Sequence, residues 1–323
     1  MARVSSSQVS DLDQRGADTA PASGRRPHRS SLTIVLVSLR PEQWTKNLIV
    51  FAGLLFGGRL TDPSAVLLAV ATFATFCALS GAVYLVNDVA DRDADTQHPL
   101  KRMRPIAAGQ LSTRTALLIA VFLATAAMAA TLLVRPVVGL AAGGYLVLLL
   151  LYSAALKNIV IIDALTIAGG FVLRAVAGAL AVSVPISQWL LVCTTLLALF
   201  LAFSKRRHEL TVLGEAATGH RRILEEYTPY LLDQMVAVVT ASTLIAYTVY
   251  ATSPETAGRL GTTRLGLTIP FVLYGIFRYL YLVHQKRGGG SPAVLLMTDR
   301  PLLACVALWA LSVALILYSP LGR

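Results

Sequence analysis

The nine residues "NDVADRDAD", positions 87 to 95, hold four aspartates directly after a long apolar run. On a helix, Asn87, Asp91 and Asp95 recur at i, i+4 and i+8, and Asp88 lies three before Asp91, so these four share one face while Asp93 points away. Like carboxylates stacked on a face repel by about a few tenths of a kcal/mol per pair. A hard divalent cation offsets this directly. Mg²⁺ held by one or two carboxylates together with substrate phosphate oxygens suits such a face. The competing reading is a solvated acidic loop tied to Arg92, Lys101, Arg102 and Arg104.

A second polar group stands in "YSAALKNIVIID", with Tyr152, Lys157, Asn158 and Asp163. Asp163 either caps the helix that follows or supplies a second metal-facing carboxylate, and Lys157 is a point charge suited to a diphosphate oxygen. Arg174 follows eleven residues later, on nearly the same helical face and ~16 Å deeper. Arginine at mid-membrane costs roughly 2.5 to 3.5 kcal/mol on insertion scales, so it requires an anionic partner or a wet cavity. The stretch "LRPEQWTKN" offers Arg40, Glu42, Gln43, Lys46 and Asn47 beside Trp44, as anion ligands or as interfacial anchors. "SKRRHEL" adds Lys205, Arg206, Arg207, His208 and Glu209, and the last basic loop adds Arg278, Lys286, Arg287, Asp299 and Arg300.

The elements that must position these residues are set by composition. Of 323 residues 55% are apolar and 14% charged, and the mean hydropathy is +0.66, which places the chain among integral membrane proteins. Nine apolar runs are long enough to cross ~30 Å of hydrocarbon as helices: roughly 44 to 60, 64 to 86, 114 to 134, 136 to 156, 163 to 184, 188 to 204, 232 to 251, 265 to 284 and 301 to 319. The expected fold is an all-α bundle of nine transmembrane helices over residues 31–323. Residues 1–30 lack an apolar run and read as a disordered cytoplasmic tail. The run "LTIVLV" is too short for a secretory signal.

Charge fixes the orientation. With the N-terminus inside, the tail to Lys46 carries seven Lys and Arg, and the inside loops carry five, one, five and three. Outside segments carry only Arg59, Arg135, Arg259, Arg264 and Arg323. This asymmetry predicts a cytoplasmic N-terminus and an external C-terminus, and the expected location is the plasma (inner) membrane. Topology thus accounts for most of the net charge of +11, which gives no reason to expect nucleic acid. Cys77, Cys193 and Cys305 lie in three different spans without metal-site spacing and read as small buried hydrophobes.

Together these residues resemble the UbiA superfamily of intramembrane prenyltransferases. "NDVADRDAD" fits that family's NDxxDxxxD pattern at Asn87, Asp88, Asp91 and Asp95. The second motif departs from the usual DxxxD by carrying Lys157 and a single Asp163. That form, with "LRPEQWTKN", "HPLKRMRPIAAGQLS" and "GFVLRAVAGALA", resembles the branch of decaprenyl-phosphate phosphoribosyltransferases over roughly residues 35–320.

The resemblance implies a nine-helix bundle whose active-site cavity faces the cytoplasm. It also implies transfer of phosphoribose from phosphoribosyl diphosphate to a polyprenyl phosphate, on the way to arabinose donors for the cell wall. In that reading Asp88, Asp91, Asp95 and Asp163 hold Mg²⁺, and Asp91, Asp95, Lys157 and Asp163 are catalytic. The substrates would meet Arg40, Gln43, Lys46, Asn47, Asn87, Lys101, Arg104, Tyr152, Arg174, Lys205 and Arg206. The phosphate nucleophile is already anionic, and none of His28, His98, His208, His220 and His284 stands out as a general base. Two other functions remain open on sequence: a UbiA-type transferase moving a prenyl group to an aromatic or quinone precursor, and a cation transporter with an acidic mouth. Short, nearly bare outside loops weigh against the transporter. Assembly as a homo-oligomer is likewise left open.

Overall fold

The computed structural model describes residues 30–97, 101–213, 222–285 and 292–319. The tail to residue 29, with His28, and also His98, His220, Lys286, Arg287 and Arg323, lie outside the described residues. Every described element is helical. In chain order, α1 (Ser31–Ser38), a 3₁₀ segment (Pro41–Phe51) and α2 (Ala52–Phe56) precede the long helix α3 (Pro63–Ala90). A turn at Asp91 leads into α4 (Arg92–Gln97), and the pair α5 (Thr113–Val134) and α6 (Pro136–Ala154) follows. Then come α7 (Ile162–Ala181), α8 (Gln188–Leu213), α9 (Pro229–Thr252), α10 (Pro254–Leu260), α11 (Ile269–Gln285), α12 (Pro292–Thr298) and α13 (Arg300–Tyr318).

Eight helices among the described residues are long and apolar enough to cross a membrane: α3, α5, α6, α7, α8 as far as Thr211, α9, α11 with its leading 3₁₀ turn from Arg264, and α13. Their starts follow from local chemistry. Proline at the first helical position costs no hydrogen bond there, and the Asp62 and Thr228 side chains accept backbone N–H groups that would otherwise be orphaned in α3 and α9. Large apolar side chains such as Leu118, Leu133 and Leu140 face outward, as a lipid-solvated surface requires.

The remaining sequence-derived span, 44 to 60, is not a continuous α-helix. It runs as eleven residues of 3₁₀ helix and then five of α-helix. At about 2.0 and 1.5 Å per residue this still reaches roughly 30 Å, the depth of a hydrocarbon core. The reason is contact with α7. A 3₁₀ helix repeats every three residues, so Asn47 and Val50 share one buried face, which Gly53 continues at the start of α2. Asn47 bonds Arg174. A Cβ on Gly178 would lie 1.9 Å from the Val50 carbonyl oxygen, and one on Gly53 would lie 2.7 Å from Ala179 Cα. Backbones can approach this closely only at small residues, the usual basis of helix association in lipid.

Packing gathers into two main groups. One centres on Val50, Phe76, Leu79, Val138, Tyr145 and Ala177. The other centres on Phe200, Phe203, Leu232, Ile276, Leu282 and Leu302. Residues of both line one cavity.

Candidate active site

The helical path of α3 carries on past Ala90, since Asp91 N–H bonds Asn87 C=O at 2.8 Å and Asp95 N–H bonds Asp91 C=O at 2.8 Å. That continuity brings Asp88 and Asp95, two turns apart, to the same side. Both are buried, 3% and 2% exposed. Arg104 reaches between them: its Nη1 lies 3.2 Å from Asp88 Oδ1 and 2.5 Å from Asp95 Oδ2. Arg40 also bonds Asp88 Oδ1, and its guanidinium stacks 4.9 Å from the centre of the Tyr84 ring. Arg40 itself adopts a left-handed backbone, φ 53°, at the start of the 3₁₀ segment. Asp93 is exposed to solvent. Lys101 stands nearby, its ammonium held below the ordinary lysine value by burial and then by the charge of Arg104.

This acidic face fits a hard divalent cation by its donor set. All donors are oxygens, and a single cationic nitrogen already lies between two buried carboxylates. The Asn87 side-chain oxygen beside them is buried and has no hydrogen-bond partner among the described residues. Asn87, Asp88, Asp91 and Asp95 are the side chains that would offer oxygen donors to such an ion on this face.

The second loop meets the first through Lys157, whose Nζ lies 3.0 Å from Asp91 Oδ1 at a partly exposed position. Asp163 sits apart from that contact. It is fully buried, and its two oxygens take Arg206 Nε at 2.9 Å and the Tyr227 hydroxyl at 3.1 Å. Arg206 continues to Glu209 at 3.0 Å. Among the described residues no three His, Cys, Asp or Glu side chains converge as a ready metal cluster. The approach to α7 is strained: Ile161 has φ 68° and ψ −42°, and Ile162 N–H bonds Val160 C=O at 2.7 Å across it. For a β-branched residue such a positive-φ γ-turn costs about 1–3 kcal/mol. Tyr227 braces it, accepting the Ile161 N–H at 2.7 Å while donating to Asp163. Burial pushes the Tyr227 phenol up from its ordinary value.

Deeper along α7, Arg174 is 5% exposed. Its Nε donates to Asn47 Oδ1 and its Nη2 to the Tyr145 hydroxyl, both at 2.6 Å. Tyr145 is in turn 3.0 Å from Ser80 Oγ, and Asn47 Nδ2 donates to Cys77 Sγ at 3.2 Å. The guanidinium stacks on Tyr145 and Phe171.

These levels are joined by one cavity of about 1360 Å³, above the range of roughly 300–1,000 Å³ common for single small-molecule sites. Of the sequence-predicted residues, Arg40, Gln43, Lys46, Asn87, Asp88, Arg104, Tyr152, Arg174, Lys205 and Arg206 line it. Asn47, Asp91, Asp95, Lys101, Lys157 and Asp163 are not among its lining residues; Asp95, Asn47 and Asp163 bond the lining side chains Arg104, Arg174 and Arg206, and Asp91 and Lys157 pair with each other at a partly exposed position. Beyond Arg174 the lining turns apolar and ends among Phe56, Tyr250 and Trp309. Tyr84, Tyr145 and Ser80 were not identified from sequence. A hydroxyl in the middle of a span was the one available signal. Tyr227 had none, because its partners are more than 60 residues away.

Comparison with known proteins agrees with this architecture. A protein of Corynebacterium glutamicum named decaprenyl-phosphate phosphoribosyltransferase is 31% identical over 299 residues, covering 91% of this chain and 90% of its own. One of the same name from Mycobacterium tuberculosis is 32% identical over 294 residues, covering 89% and 95%. Among solved structures, a UbiA homologue from Archaeoglobus fulgidus bound to GPP and Mg²⁺ superposes with a TM-score of 0.67 at 19% identity, covering 87% of this chain and 99% of that one. Residues 47–298 match the UbiA prenyltransferase family, and with relatives above 30% identity spanning about nine-tenths of the chain, this multi-pass membrane protein belongs to that family.

Proposed function

We propose that this protein transfers 5-phosphoribose from phosphoribosyl diphosphate to the phosphate of a polyprenyl lipid, releasing diphosphate and serving cell-wall arabinose-donor synthesis. The observation that carries the reading is the likeness, end to end, to proteins named for that reaction. Geometry supports it: one cavity joins a mouth carrying Asp88, Arg104, Arg40 and Lys205 to an apolar arm, as a reaction between a water-soluble anion and a lipid needs.

In this reading the donor's diphosphate lies at the mouth. Asn87, Asp88, Asp91 and Asp95 would hold Mg²⁺, which when bound would offset charge on the departing diphosphate. Lys157 donates to a diphosphate oxygen as the bond to ribose C1 breaks, and Arg104 and Arg40 offer further donors to the accumulating charge. An oxygen of the lipid phosphate forms the new bond to C1. That oxygen is already anionic, so no general base is required. Asp163 acts as a positioning residue, holding Arg206 toward the cavity with help from Tyr227. The protein resides in the plasma membrane with its N-terminus and the cavity mouth cytoplasmic and its C-terminus outside.

The reading is tested by incubating the purified protein with 5-³²P-labelled phosphoribosyl diphosphate and polyprenyl phosphate. Label moving into the lipid fraction supports it. Lipid that stays unlabelled, with prenyl transfer from a polyprenyl diphosphate to an aromatic acceptor instead, would establish the other UbiA chemistry.

A further inference from the structure

Charge on the cavity wall is unevenly matched. Arg40 and Arg104 are paired with Asp88, and Arg206 with Asp163 and Glu209. Among the described residues Arg174 has no carboxylate partner, and its Nη1 takes no part in its bonds to Asn47 and Tyr145. Lys46 lines the same cavity as Arg174 and lies within the field of Arg174 and Arg40, with Glu42 acting more weakly and forming no salt bridge with it among the described residues. No hydrogen bond to Lys46 is made within the described residues. Two neighbouring cations in a poorly hydrated wall repel, and a dianion between them removes the repulsion.

Their position along the wall says which anion. The 3₁₀ repeat stacks Gln43, Lys46 and Ile49 in one column, between Arg40 at the start of the segment and Ala52 and Leu55 in α2, and all six line the cavity. The column is polar as far as Lys46 and apolar beyond it. On α8, which runs the opposite way, the lining changes from Leu197 and Leu201 to Lys205. Lys46 and Arg174 thus stand at the boundary between the carboxylate-bearing mouth and the apolar arm.

We infer that Lys46 and Arg174 form the seat of the acceptor lipid's phosphate, with its hydrocarbon tail running down the apolar arm and the donor held outward at the acidic face. This assignment rests on the proposed phosphoribosyl transfer for its choice of acceptor. A phosphomonoester carries about −1.5 to −2 at neutral pH and offers three acceptor oxygens, enough for both cations at once. Held there, the lipid phosphate approaches the donor from the arm side while the diphosphate leaves toward the mouth.

The test measures binding of farnesyl phosphate to the purified full chain in detergent, with farnesol and inorganic phosphate as controls. Lys46→Gln should weaken farnesyl phosphate about 10- to 100-fold, the usual effect of losing a charge-assisted contact, while farnesol and phosphoribosyl diphosphate change less than about twofold. Inorganic phosphate should compete poorly because it lacks the tail. Arg174→Gln should act in the same direction and is read only where the variant stays monodisperse. The Lys46 side chain makes no hydrogen bond among the described residues, so its variant keeps the inference open to refutation even if Arg174→Gln fails to fold. Weakened phosphoribosyl diphosphate binding with farnesyl phosphate untouched would assign the pair to the donor's 5-phosphate and overturn the inference, as would no change in either. Farnesyl phosphate binding that depends on Lys46, without formation of labelled lipid, would leave the seat standing and remove the phosphoribosyl reading.

Discussion

Arg104 holds two buried carboxylates that would otherwise repel each other, so its removal has a definite sign. Breaking a buried pair by deleting one partner costs about 3–5 kcal/mol, and somewhat less where the partner is partly exposed, as Arg104 is. Arg104→Gln should therefore lower the melting temperature in EDTA, and added Mg²⁺ should restore part of the loss by taking up the same carboxylates. A melting temperature indifferent to Mg²⁺ in that variant would argue against a cation on this face. In turnover assays Asp91→Asn and Asp95→Asn should each nearly abolish activity while Asp93→Asn, at an exposed position, should not. Equal losses at all three would remove the distinction between faces. Lys157→Ala should lower kcat by roughly 10²–10³ with little change in donor KM if its ammonium acts on the leaving diphosphate in the transition state. A raised KM with kcat unchanged would place it in ground-state binding. At this scale the sequence was informative wherever a helical repeat carried the pattern, as from Asn87 to Asp95. It was silent on Tyr227, whose contacts with Ile161 and Asp163 depend on how α7 and α9 come together.

The element with most influence on the site is the 3₁₀ segment Pro41–Phe51. An α-helix turns 100° per residue, so it would rotate Lys46 away from Gln43; a period of three keeps the two on one wall. Gly178 permits this by letting the Val50 carbonyl lie against α7. Gly178→Ala should displace the segment, cost about 1–3 kcal/mol as overpacking does, and weaken substrate binding although the residue touches no substrate. Thermal unfolding in detergent together with farnesyl phosphate affinity reads both effects. An unchanged protein would show that the close approach is dispensable. Hydropathy identified the segment as apolar and membrane-deep, yet could not give its helix type. That depends on small residues of α7 more than 100 positions away, and local propensity carries no trace of them.

For the whole molecule, hydropathy and charge were enough to find the eight long spans, because each must satisfy its backbone internally and be apolar outward. A cavity was expected from the family resemblance alone; hydropathy and charge gave no sign of it, since it arises where the two packing groups leave space between them. Its two-ended lining carries the central claim, that a soluble donor at the mouth meets a lipid phosphate from the arm. Which bond breaks decides this most directly. With purified protein, Mg²⁺ and polyprenyl phosphate, phosphoribosyl diphosphate labelled with ³²P at the 5-phosphate should give radioactive lipid, and donor labelled at the β-phosphate should give radioactive free diphosphate with the lipid unlabelled. Label from the β-phosphate in the lipid, or 5-phosphate label entering polyprenol as readily as polyprenyl phosphate, would contradict the account.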